Sequence, residues 1–179
     1  LMDLAAAGLY EQPFPTHGKP LAIVTYRSER SALKVLQETR ESVTGLSLIQ
    51  GPPLSGKSTI IRTYLETLPT EYSVAVIDGK GLNTTNMLVE VLRQYGYTLE
   101  LSSANELHGL VRIFALQQAA SAEPPMLIVE NVNELNPSAL RALCELAGLR
   151  VRTGSAIKIA LLSDRPLQSL VAAQGMRSL

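Results

Sequence analysis

The octapeptide Gly51-Pro52-Pro53-Leu54-Ser55-Gly56-Lys57-Ser58 constrains the fold of this chain more than any other feature. It has the form G-x-x-x-x-G-K-[ST] and follows an apolar run at 45–50. From Lys57 onward, Ile60, Ile61, Tyr64, Leu65 and Leu68 recur at helical spacing, predicting a helix over 57–68. A strand that turns through such a loop into a helix is the setting the pattern requires. The glycines let the backbone curl until several N–H groups converge, and the helix N-terminus adds the positive end of its dipole. Such a loop holds phosphate. Lys57 is placed to bridge the β- and γ-phosphates of a nucleotide and the Ser58 hydroxyl to ligate Mg²⁺, so residues 51–59, ending at Thr59, form the candidate nucleotide-binding segment.

Around the loop, strand-like and helix-like stretches alternate, which predicts an α/β three-layer sandwich on a mostly parallel sheet. Helices are expected at 28–41, 57–68, 85–95 and from Ser103 to about Ala120, with a further one from Pro137. Ser103 and Glu106 form a capping box, and Asn136-Pro137 read as N-cap and first helical residue. Buried strands are expected at 45–50, 73–78, 126–129 and 157–162. Residues 8–20, with Pro13, Pro15, Gly18 and Pro20, read as an irregular lead-in, and 167–173 as a last helical stretch. The expected division is a lead-in and helix at 1–44 packed on a nucleotide-binding core at 45–179. No clear fifth strand follows 167–173.

With 179 residues the chain is long enough for one real core. Its net charge of zero demands neither nucleic acid nor anionic lipid as a partner. No apolar run approaches the ~20 residues of a membrane span, and residues 1–8 lack the basic start of a signal peptide. The single cysteine, Cys144, sits among Leu143, Leu146 and Leu149 and reads as a core thiol, which suits a reducing, cytoplasmic compartment.

The second half of a phosphate site is an acid at the end of a neighbouring buried strand. Met126-Leu-Ile-Val-Glu130 supplies one, with Glu130 placed to hold Mg²⁺ through a water. Asp78, at the end of Ser73-Val-Ala-Val-Ile-Asp78, competes, but Gly79-Lys80-Gly81 after it reads as turn chemistry. Ser163 and Asp164, closing the last strand, are either sensors of the γ-phosphate or a helix cap before Pro166. Arg165 and Arg177 are candidate charge donors toward a neighbouring subunit's nucleotide, whereas Arg150 and Arg152 read as solvated.

Together these residues resemble the AAA+ ATPases of the general secretion pathway protein A type, which have relatives in pilus biogenesis and transposon targeting. Leu9-Tyr10-Glu-Gln-Pro13-Phe14 is similar to that family's opening Y/F-x-x-x-PF signature, and Tyr26-Arg-Ser28-Glu29-Arg30-Ser-Ala32-Leu33 to the segment after it. MLIVENVNELNPSALRALCEL runs alongside the family's LLIDEAQNLSPEVLEQLRLL. The resemblance implies ATP or ADP as ligand, Mg²⁺, self-association, and a protein partner in assembling an envelope, secretion or pilus complex. It also implies a place at the cytoplasmic face of the inner membrane, reached through segments beyond these residues. By the same resemblance, the lid subdomain and the strand completing the sheet lie outside these residues.

Two positions depart from the family. Glu130 stands where it has the Walker B aspartate, and Asn131 where it has the glutamate that polarises the attacking water. An amide can hydrogen-bond a water but cannot take its proton, and effects of this kind are worth ~10²–10⁴-fold. With Lys57, Glu130 and Asn131 as the candidate catalytic set, the expectation is a nucleotide switch or slow ATPase. The alternatives are a regulatory module that binds nucleotide with little hydrolysis, and a DNA-targeting ATPase, to which zero net charge lends nothing. A GTPase is disfavoured because no Asn-Lys-x-Asp occurs, and a small-molecule kinase because no arginine-rich lid does.

Overall fold

A computed structural model describes residues 22–25, 28–51, 57–100 and 102–164, with backbone alone at 22–25, 57 and 58. Its centre is a five-stranded sheet built from β1 (Ala22–Thr25), β2 (Leu46–Gln50), β3 (Val74–Asp78), β4 (Met126–Glu130) and a strand at Lys158–Ser163. Two further short strands, β5 (Arg150–Val151) and β6 (Gly154–Ser155), form an antiparallel hairpin, so the Lys158–Ser163 strand is β7. The order across the sheet is β1-β2-β7-β4-β3, and every pairing in it is parallel.

Because side chains alternate across a strand, each strand feeds two cores. On one face Ile49, Met126, Ile128, Ala160 and Leu162 pack with residues of α1 (Glu29–Glu41) and α2 (Lys57–Glu66), among them Leu36, Ile60, Ile61 and Tyr64. On the other face Leu46, Leu48, Leu127, Val129, Ile159 and Leu161 meet α3 (Thr84–Gln94), α4 (Ala104–Ser121) and α5 (Pro137–Ala147). β2, β4 and β7 are buried on both faces, which is why they read as continuous apolar runs. β3 alternates between buried and half-buried positions, as an edge strand does. The result is the three-layer α/β sandwich the sequence implied.

The helix starts follow local chemistry. Ser28 accepts from Ser31 N–H, Asn83 from Asn86 N–H, Ser103 from Glu106 N–H and Asn136 from Ser138 N–H. Ser47, the polar residue inside β2, is satisfied by Thr39 of α1, hydroxyl to hydroxyl at 2.6 Å. Cys144 is buried in the α5 face, and burial pushes its thiol up to about 12, consistent with a core role.

Three expectations change. β1 was not anticipated; its register, Ala22 beside Ser47 to Thr25 beside Gln50, lines it against the strand that leads into the phosphate loop. Arg150 is not simply solvated: it begins the β5–β6 hairpin and its Nη1 donates to Val43 O at 3.0 Å, while Arg152 is exposed as expected. The second helix ends at Glu66, short of Leu68, because Thr67 N–H and Leu68 N–H turn back to the carbonyls of Tyr64 and Leu65.

Candidate functional site

In an open parallel sheet, ligands gather at the carboxyl ends of the strands. Here those ends are Gln50 of β2, Ser163 of β7, Glu130 of β4 and Asp78 of β3, in that spatial order. Gln50 is level with Ser163, and Asp78 is level with Glu130. The strand that feeds the glycine-rich loop and the strand that ends in Glu130 therefore both flank β7.

Hydrogen bonds run along this edge from one strand end to the next. Gly51 N–H, the first residue of the loop, donates to Ser163 O at 3.2 Å. Asp164 N–H donates to Asn133 Oδ1 at 3.2 Å, tying the end of β7 to the 3-10 turn Val132–Glu134 that follows β4. Asn131 Nδ2 donates to Asp78 Oδ1 at 2.8 Å. Lys80 N–H donates to the same carboxylate oxygen at 3.0 Å, the turn chemistry read from the sequence.

Asn131 is the one non-glycine residue among those described with a left-handed backbone, at φ 51 and ψ 42. Asparagine adopts this conformation several-fold more readily than most residues, and glutamate is not among those favoured there. The departure from Glu at this position thus has a local structural reason beside any chemical one. The turn it opens ends at Asn136, which caps α5.

Of the candidate residues, Glu130 and Asn131 are half-buried side by side at the end of β4, Ser163 is buried and Asp164 half-buried beyond β7. Lys57 and Ser58 open α2, and Thr59 is exposed on its first turn. Pro52, Pro53, Leu54, Ser55 and Gly56 lie outside the described residues, as do Arg165, Arg177, the lead-in at 8–20 and the helical stretch at 167–173. Sequence reasoning missed Asn133, and it missed that Asp78 serves a partner besides its own turn. Neither had a local signal, since both contacts depend on which strand lies next to which. A shallow cavity of about 160 Å³ lined by Tyr72, Gln118 and Glu123 opens at the other edge, before β3 and β4 begin, and takes no part in this arrangement.

A phosphate-loop strand separated from an acid-ending strand by one intervening strand defines a P-loop nucleoside triphosphatase of the additional-strand type. The chain belongs to the AAA domain family, whose model matches residues 40–171. It is similar to general secretion pathway protein A of Aeromonas hydrophila, with 26% identity over 175 residues, covering 96% of this chain and 32% of that protein. The chain thus spans about a third of the length of that relative. Among solved structures, Cdc6p from Pyrobaculum aerophilum aligns over 97% of this chain and 48% of its own, with a TM-score of 0.61 and 15% identity. The ORC2 protein of Aeropyrum pernix, solved as ADPNP–ADP complexes, aligns over 90% of this chain and 47% of its own, with a TM-score of 0.58 and 14% identity. These two likenesses show the fold. No helix among the described residues is long and apolar enough to cross a membrane.

Proposed function

We propose that this chain binds ATP with Mg²⁺ and acts as a nucleotide-dependent switch, hydrolysing slowly, in the assembly of an envelope, secretion or pilus complex. The observation that carries the reading is the edge itself: the Gly51–Ser58 motif begins at a residue bonded to the end of β7, and Glu130 ends the strand on β7's other side. The name of the Aeromonas relative supports the pathway, and the nucleotide complexes of the archaeal ORC2 protein support the ligand. The cytoplasm, self-association and an unidentified protein partner are part of the proposal, as is a core at 45–179 on which 1–44 packs.

The donors fit a hard divalent cation, which prefers oxygen ligands: a hydroxyl at Ser58 and a carboxylate at the half-buried end of β4. Ser58 and Glu130 would hold Mg²⁺, which when bound neutralises charge on the β- and γ-phosphates. Lys57 would add a second positive charge there, and the α2 N-terminus a third, partial one. A regulatory module that binds but barely hydrolyses is the second reading, favoured by the amide of Asn131 in a left-handed turn where glutamate would be strained.

Isothermal titration calorimetry of the parent and Lys57→Ala with ATP and Mg²⁺ tests the shared core of both readings. Binding by the parent that is abolished in the variant is expected; equal affinity in the two would refute a phosphate role for the loop.

A further inference from the structure

β7 is bonded unequally along its two sides. Toward β2 the pairing runs to the last residue, Gln50 beside Ser163, and continues where Gly51 N–H donates to Ser163 O at 3.2 Å. Toward β4 the pairing stops with Val129 beside Leu161, short of Ser163, and β4 then passes into the turn Val132–Glu134. On that side a side chain takes over: Asp164 N–H donates to Asn133 Oδ1 at 3.2 Å. An N–H needs an acceptor, so this contact also fixes which end of the Asn133 amide faces β7. The turn that carries Asn133 is itself held. Val132 and Leu135 are buried, Glu134 N–H donates to Asn131 O at 2.9 Å, and Gly81 N–H donates to Glu134 O at 3.2 Å.

The Ser163 carbonyl and the Asp164 N–H belong to one peptide group. In a trans peptide they point in opposite directions from one rigid plane. That plane is therefore gripped on one side by the first residue of the phosphate loop and on the other by Asn133. We propose that Asn133 is a positioning residue for nucleotide binding: by accepting from Asp164 N–H it sets the plane of the Ser163–Asp164 peptide, and through Ser163 O the place where the loop begins. This rests on the reading of the chain as an ATP-binding protein. Without the Asn133 oxygen, the half-buried Asp164 N–H must turn toward another acceptor. The plane turns with it and carries Ser163 O away from Gly51 N–H.

The test begins on nucleotide-free protein, with backbone amide exchange followed by NMR. Each rate is divided by that of Ile159 N–H, which donates to Gly45 O at the far end of the same β2–β7 ladder, so that a change in overall stability cancels. Asn133→Ala should speed the relative exchange of Gly51 N–H roughly fivefold, the worth of one ordinary hydrogen bond. Asn133→Asp, whose carboxylate also accepts, should restore the parent's ratio. Faster exchange at Asp164 N–H alone, with Gly51 N–H unchanged, overturns the inference, because the peptide would then not carry the effect across β7. Failure of Asn133→Asp to restore Gly51 overturns it too. In calorimetry, Asn133→Ala should weaken ATP binding by a similar factor, roughly fivefold. Failure of the parent to bind ATP sinks the function and the inference together. ATP binding by the parent that is equally tight in Asn133→Ala sinks the inference alone.

Discussion

Gly79 offers a measurement of how tightly the two turns at the candidate site are joined. A methyl group added there would lie 3.0 Å from Glu130 O, 3.0 Å from Leu135 Cγ and 3.2 Å from Asn131 O. Two of these neighbours are backbone carbonyls, and the Glu130 carbonyl is already held by Gly79 N–H. No side chain can simply rotate aside; the end of β4 or the turn after β3 must shift by a few tenths of an ångström. Overpacking of this kind costs ~1–3 kcal/mol, against ~0.4–1 kcal/mol gained from a stiffer unfolded chain. Gly79→Ala should therefore destabilise by about 1–2 kcal/mol.

Gly109 is the control. It lies inside α4, a methyl there meets nothing within 4 Å, and Gly109→Ala should stabilise by about 0.5–1 kcal/mol. Urea denaturation of both variants beside the parent reads the difference, provided the denaturant slopes agree. Calorimetry adds a functional arm, since only Gly79→Ala displaces atoms of Glu130 and Asn131 and should weaken ATP binding. If Gly79→Ala proves as stable as Gly109→Ala with an unchanged slope, the turns are not in the contact described here.

Asn131→Glu should unfold more readily by about 1–2 kcal/mol because of the left-handed backbone, yet release phosphate from ATP at least ~10-fold faster; a parent already that fast would contradict an impaired site. Ser103→Ala removes the hydroxyl that accepts from Glu106 N–H and should lower stability by about 1 kcal/mol in a thermal melt. Burial raises the phenol of Tyr64 to about 12 and pushes those of Tyr72 and Tyr95 up as well. A raised pKa favours the fold while the group stays neutral, so the Tyr64 contribution is complete below pH 10 and lost as pH rises through about 12. Absorbance at 295 nm should show these tyrosines ionising together with unfolding; ionisation well before it would contradict their burial.

The layers of the fold were legible because local chemistry repeats there. The runs at β2, β4 and β7 are too apolar to be anything but strands buried on both faces, and the caps at Ser103 and Asn136 announce their helices. β1 was missed because a few apolar residues after Pro20 carry no period, and only its neighbour β2 makes a strand of them. The β5–β6 hairpin, with two residues in each strand, is too short to leave a pattern. At the candidate site, Glu130 could be found from its strand alone. The bond from Asn131 to Asp78 could not, because it depends on β3 and β4 being neighbours in a register that levels Asp78 with Glu130.

The place of β7 in the sheet has a consequence for how the protein is made. Its partners, β2 and β4, leave the ribosome earlier, yet neither pairs with the other; each waits for Lys158–Ser163. Until that strand emerges, β2 and β4 each present an unpaired apolar edge, the kind of surface that invites pairing with another chain. Contacts between residues so distant in sequence also slow folding, toward milliseconds to seconds rather than microseconds. Insertion of β7 then fills both edges at once. The loop that begins at Gly51 and the turn that begins at Asn131 become parts of one surface in that same event, so a chain cut before Lys158 would carry both motifs and join neither.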